Sequence, residues 1–70
     1  MIEVALLTEI EKDSLIGIQY NEDCYFNPIQ DINNNWIIST QEIDNCINPD
    51  YQWVKNLPLI QYQPKPPAPL

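Results

Sequence analysis

Proline placement divides this chain before any other feature does. Of its seven prolines, four fall within the last seven residues, at Pro64, Pro66, Pro67 and Pro69. Proline holds φ near about −65° and has no N–H, so such a run favours an extended polyproline II segment and cannot continue a helix or a sheet ladder. The expectation is a folded body over residues 1–63 followed by an extended tail over 64–70. A body of that length buries only about 60% of the surface its unfolded chain exposes. Its core is therefore thin and its stability a few kcal/mol. The hydrophobic content of 44% is still that of a chain that folds.

Within the body, residues 2–7 (IEVALL) are short and rich in branched apolar side chains, which suits a strand. Thr8 and Glu11 have the spacing of a capping box, and Gly17, the only glycine, stands where a helix would stop. This predicts a short helix over 9–16 with Ile10 near the core; a strand through the same residues is the competing reading, because Leu15, Ile16 and Ile18 also suit a strand. Residues 20–23 read as a turn. Two aromatic or β-branched runs, 24–30 and 36–39, then flank the polar cluster 31–35, which is a hairpin signal. Three consecutive asparagines tolerate the left-handed backbone of such a loop. Pro28 makes its strand an edge or breaks it. Trp36 and Ile38 share one face of their strand and Ile37 takes the other.

Two further helix starts follow. Ser39 and Glu42 form a second capping-box pair, opening a helix over 40–45. Asn48-Pro49-Asp50 places a cap, a proline and an acid where a first turn accepts them, predicting a helix to about residue 55. Residues 59–62 (LIQY) read as a last strand, a partner for 2–7. The sum is a small single α+β domain: a three- to four-stranded antiparallel-type sheet, two to three short helices and the Pro-rich tail.

Charge narrows the partners. Ten acids against three lysines (Lys12, Lys55, Lys65) and no arginine give a net charge of −7. Neutralising nucleic-acid phosphates takes clustered Lys and Arg, so direct nucleic-acid binding is not expected, nor is docking on anionic membranes. No apolar run approaches the roughly 18 residues of a membrane span, and residues 1–7 do not read as a signal peptide. The expected place is the cytoplasm of a host cell, or a particle assembled there. Cys24 and Cys46 are then expected as free thiols packing as small hydrophobes, with a bridge between them as the alternative.

Catalytic chemistry has little to work with. Histidine is absent, which removes the commonest general base and metal ligand and any Cys–His nucleophile. One glycine cannot build a phosphate-cradling loop. The expectation is no enzyme, no catalytic residue and no cofactor. A single constellation stands out: Asp31, Asn33, Asn35 and Glu42 occupy positions 1, 3, 5 and 12 of an EF-hand calcium loop, with Ile38 and Ser39 at 8 and 9. Trp36 stands where that loop needs its glycine, and Asn27-Pro28 stands where its entering helix belongs. A polar hairpin loop beside a capped helix accounts for the same residues.

Other candidates point to contact with a protein. Tyrosine is enriched at interfaces, which singles out Tyr25, Tyr51 and Tyr62, whereas Trp36 and Trp53 are expected as core anchors. Pro64, Pro66 and Pro67 belong to a segment of the kind that lies along a partner's groove.

The stretch Tyr25-Phe26-Asn27-Pro28-Ile29-Gln30-Asp31, then Asn35-Trp36-Ile37-Ile38-Ser39 and Glu42, resembles a pattern in small uncharacterised proteins encoded by bacteriophages and prophages of Bacteroidetes-type hosts. Leu57-Pro58 and the Pro-Lys ending look similar as well. The likeness covers about half the chain and rests on hairpin and cap residues. It implies a phage or mobile-element setting and brings no agreed function.

The function expected first is therefore non-enzymatic protein–protein contact, as a phage virion accessory or assembly component, with a homo-oligomer compatible. An acidic inhibitor that covers the basic nucleic-acid-binding surface of a host enzyme is the alternative. A degenerate EF-hand-like calcium module is the third reading.

Overall fold

The computed structural model describes residues 2–67, an α+β fold with a four-stranded antiparallel sheet, a two-stranded sheet and three short helical segments. In chain order these are β1 (Glu3–Leu7), α1 (Glu9–Leu15), β2 (Gln19–Asn21), β3 (Cys24–Tyr25), β4 (Ile29–Gln30), β5 (Trp36–Ser39), α2 (Thr40–Asp44), a 3₁₀ segment (Pro49–Asn56) and β6 (Leu59–Gln61).

The larger sheet runs β4-β5-β1-β6, so β1, the strand richest in branched apolar residues, is covered on both sides by hydrogen-bonded partners. Its register sets Ala5 opposite Ile38 and Leu7 opposite Trp36, and, on the other face, Leu6 opposite Ile37 and Val4 opposite both Ser39 and Ile60. The first face carries the core: Ala5, Leu7 and Ile38 pack with Leu15, Phe26, Ile43, Cys46 and Val54. Each fully buried Leu, Ile or Val contributes roughly 1.5–3 kcal/mol, and these contacts hold the helices to the sheet. Trp36 and Trp53, expected as core anchors, pack against this core but are only half-buried.

Both capping boxes form. The Thr8 hydroxyl accepts from the Glu11 amide while the Glu11 carboxylate accepts from the Thr8 amide, and Ser39 and Glu42 repeat the exchange. Helix α1 ends where Gly17 takes φ 79°. Ile10, expected near the core, is instead 79% exposed. The helix turns Leu15 inward with Lys12 and Glu11 beside it, and Ile10, five residues before Leu15, points roughly 140° away around the helix. The Lys12 ammonium sits 4.5 Å from the centroid of the Trp36 ring and pairs with Asp13 and Glu9.

The expected hairpin over 31–35 is present, with Gln30 opposite Trp36, Ile29 opposite Ile37, and Asn34 at φ 64°. Its first strand is shorter than the run 24–30 suggested. Cys24 and Tyr25 pair backward with β2, across a turn that holds Asp23 at φ 54°; the chain leaves strand geometry over 26–28, where Pro28 lacks a donor, and re-enters as the edge strand β4. Cys46 is buried, Cys24 is exposed, and both thiols are free, so the packing expectation holds only for Cys46. The 3₁₀ segment is capped by the Asn48 side chain and kinks at Tyr51. The final strand pairs with β1 as expected.

Candidate functional site: a groove on the second face of the sheet

Strand alternation gives the larger sheet a second apolar face. Val4 and Leu6 of β1, Ile37 of β5, Ile29 of β4 and Ile60 of β6 all point to it. The buried apolar residues of the helices, Leu15, Ile43 and Val54, belong to the core on the first face. A groove of about 380 Å³ is lined by part of this face together with Ile38 and Tyr20, which also take part in the core packing. Val4 and Ile37 form its floor, buried at 5% and 1% exposure, and Ile2, Ile29, Tyr25 and Tyr62 line it. Three of those wall residues are open to solvent: Ile2 at 68%, Tyr25 at 56% and Ile29 at 40%. An apolar floor with aromatic, amphipathic side chains over it is the composition of a contact surface.

Asn27, Ser39 and Glu42 also line the groove. Glu42 is a buried carboxylate placed by helix capping. Its Oε2 accepts from the Ser39 amide and hydroxyl, both at 2.9 Å, and its Oε1 accepts from the Asn27 amide at 2.7 Å. It thus ties the start of α2 to the irregular segment between β3 and β4. Nearby Tyr20 has its hydroxyl pKa pushed up, first by burial and then by the Cys24 thiol and the negative charge of Glu42.

The expected contact residues separate into three places. Tyr25 and Tyr62 meet at the groove. Tyr51 belongs to the other side of the molecule, half-buried in an aromatic group with Phe26 at 6.4 Å and Trp53 at 6.2 Å between ring centroids. Pro64, Pro66 and Pro67 are exposed, and the tail is pinned where it begins: the Ile32 amide donates to the Gln63 carbonyl at 2.8 Å and the Lys65 ammonium reaches the Gln30 side chain at 3.4 Å. Pro69, with residues 68–70 generally, lies outside the described residues.

The calcium constellation is assembled differently from an EF-hand loop. Asp31 is 1% exposed, and its carboxylate accepts from the Asn33 amide, the Asn35 amide and the Asn35 side chain at 2.9–3.2 Å. Burial raises its pKa, but the Asn35 and Asn33 donors, aided by the charge of Lys65, outweigh burial and hold it below the usual value. Glu42 is engaged with Ser39 and Asn27 instead. Both carboxylates are thus committed to backbone donors, one closing the hairpin loop and the other capping a helix. Among the described residues no three His, Cys, Asp or Glu side chains come together as a metal cluster.

The sequence singles out Tyr25 and Tyr62 and the capping box of Glu42, but not the groove that all three line. The available signal was the even-numbered apolar series Ile2, Val4 and Leu6 beside Ile37, which marks a strand pair apolar on both faces. Among the described residues no helix is long and apolar enough to cross a membrane. No family model, curated protein or solved structure matches the chain.

Proposed function

We propose that this chain is a non-enzymatic binding protein that contacts another protein through the groove on the second face of its sheet. One observation carries the reading: an apolar face with a floor as buried as a core and walls formed by exposed Ile2, Tyr25 and Ile29. A soluble domain this small spends much of its apolar material on that face, which marks an interaction surface. Tyrosine at the wall suits the role, being large and rigid with a polar tip. The Pro-rich tail follows Tyr62 of the groove and supplies a second, extended contact segment, tethered at Lys65 to the Gln30 side chain. The resemblance to small phage-encoded proteins supports a virion accessory or assembly role for that contact.

Capture from phage-infected or host lysate tests this reading. The bait would be the full chain, the variants Tyr25→Ala and Ile29→Glu, and a chain ending at Gln63. The account expects one captured protein at both low and high salt, reduced roughly tenfold or more by either groove variant. Capture indifferent to both variants would overturn it. Capture of a basic nucleic-acid enzyme, lost at high salt and indifferent to the groove variants, would favour the acidic-inhibitor reading.

A further inference from the structure

We infer that the groove takes an arginine side chain presented by a basic partner protein, with the guanidinium held at Glu42. This deepens the reading that the groove binds protein and rests on it. The first observation is the unbalanced charge of Glu42. It lines an apolar groove at 9% exposure, and among the described residues the ion pairs are those of Lys12, so no lysine neutralises it. Its three hydrogen bonds from Asn27 and Ser39 offset part of the cost of burying this carboxylate but leave its charge without a counter-ion, which a cation delivered by another chain would supply.

Glu42 also retains acceptor capacity. A carboxylate offers about four acceptor sites. Three are used, two on Oε2 by the Ser39 amide and hydroxyl and one on Oε1 by the Asn27 amide. One site on Oε1 is unclaimed by the chain. The walls match the rest of an arginine side chain: Ile29 and Ile37 would lie along its methylenes, and the exposed Tyr25 ring offers a face on which a guanidinium stacks. A volume of about 380 Å³ is at the small end of the roughly 300–1,000 Å³ of ligand sites, suited to one side chain with its flanking backbone. The net charge of −7, with Lys12 already paired to Glu9 and Asp13, favours a basic partner in general.

The test uses the full chain, labelled for amide NMR, and a capped Leu-Arg-Leu peptide against the same peptide with citrulline, which keeps the shape and removes the charge. The account expects the arginine peptide at millimolar concentration to shift the amides of Asn27, Ile37 and Ser39, with the citrulline peptide weaker by roughly tenfold or more. Glu42→Gln is the direct variant, but it disturbs a cap; Ile29→Lys, on an edge strand and 40% exposed, places a competing ammonium at the groove mouth and leaves the cap intact. Ile29→Lys is expected to abolish the arginine response in a chain whose remaining spectrum is unchanged. Equal binding of the two peptides, no response to the arginine peptide, or an unaltered response in Ile29→Lys would each overturn the inference. Equal binding of both peptides at the groove would sink the arginine reading while leaving the protein-binding reading intact.

Discussion

The Asn27 amide donates to the Glu42 carboxylate at 2.7 Å, joining residues fifteen apart in the chain. The same carboxylate caps α2 through Ser39, so a single side chain fixes the segment that places Tyr25 relative to the sheet. Removing it leaves two partly buried amide donors without their acceptor. Glu42→Ala is expected to cost about 2–3 kcal/mol, measured by urea unfolding, against about 1 kcal/mol for Ser39→Ala. Equal, small losses for both would show that Glu42 serves only as a local cap.

Core positions should separate sharply from the apolar residues left outside. Leu15 is fully buried, and Leu15→Ala is expected to cost about 2–5 kcal/mol, enough to unfold a domain of this size under mild denaturant. Ile10→Ala, on the outer face of the same helix, should change stability by less than about 0.5 kcal/mol.

Gly17 supplies a left-handed backbone at φ 79° with open space around its Cα. The strain of a side chain there is conformational and not steric crowding. Gly17→Ala should therefore cost about 1 kcal/mol, and Gly17→Asn distinctly less, in thermal or urea melts.

The Asp31 carboxyl links the hairpin loop to pH. Its folded pKa lies below the ordinary carboxylate value of about 3.9. Between the two values the unfolded chain binds a proton that the folded chain does not. The stabilisation is therefore complete above the ordinary value and disappears as pH falls through the folded value. Asp31→Asn should be less stable than the native chain at neutral pH, with the gap closing as pH falls below the ordinary carboxylate value. A gap independent of pH would contradict the assignment.

Thiol chemistry offers a direct check on the packing. Cys24 is exposed and Cys46 buried, and neither is bridged. A thiol reagent should label one cysteine rapidly in the folded protein and the second only on unfolding. The Cys24→Ser variant should lose the rapid phase alone.

Much of the frame was legible because it is written in local signals. Thr8 with Glu11, Ser39 with Glu42, and Asn48 with Pro49 each announce a helix start by satisfying its free amides, and each forms in the structure. The pairing of β1 with β6 followed from two short apolar runs seeking partners. The misreadings lie where tertiary competition decides. Residues 24–30 read as one run that Pro28 sets at an edge or breaks, and the break falls there; what the run did not show is that Cys24 and Tyr25 find β2 while Ile29 and Gln30 find β5. Ile10 failed because a seven-residue helix packed through Leu15 can bury only one narrow stripe. The groove itself is assembled from β1, β5, β4 and residues 25–27, contacts of long sequence separation that carry no local signature. Asp31 and Glu42 matched a metal-loop spacing because loop closure and helix capping call for the same acidic and amide residues as calcium does.

The central claim is that partners meet the second face of the sheet and not the helical side. Amide hydrogen exchange of this chain, free and bound to the protein captured as above, tests it most directly. The account predicts added protection over residues 2–4, 25–29, 37–39 and 62, with α1 and the 3₁₀ segment unchanged. Protection confined to α1, α2 and the 3₁₀ segment, with the groove amides unaffected, would contradict it.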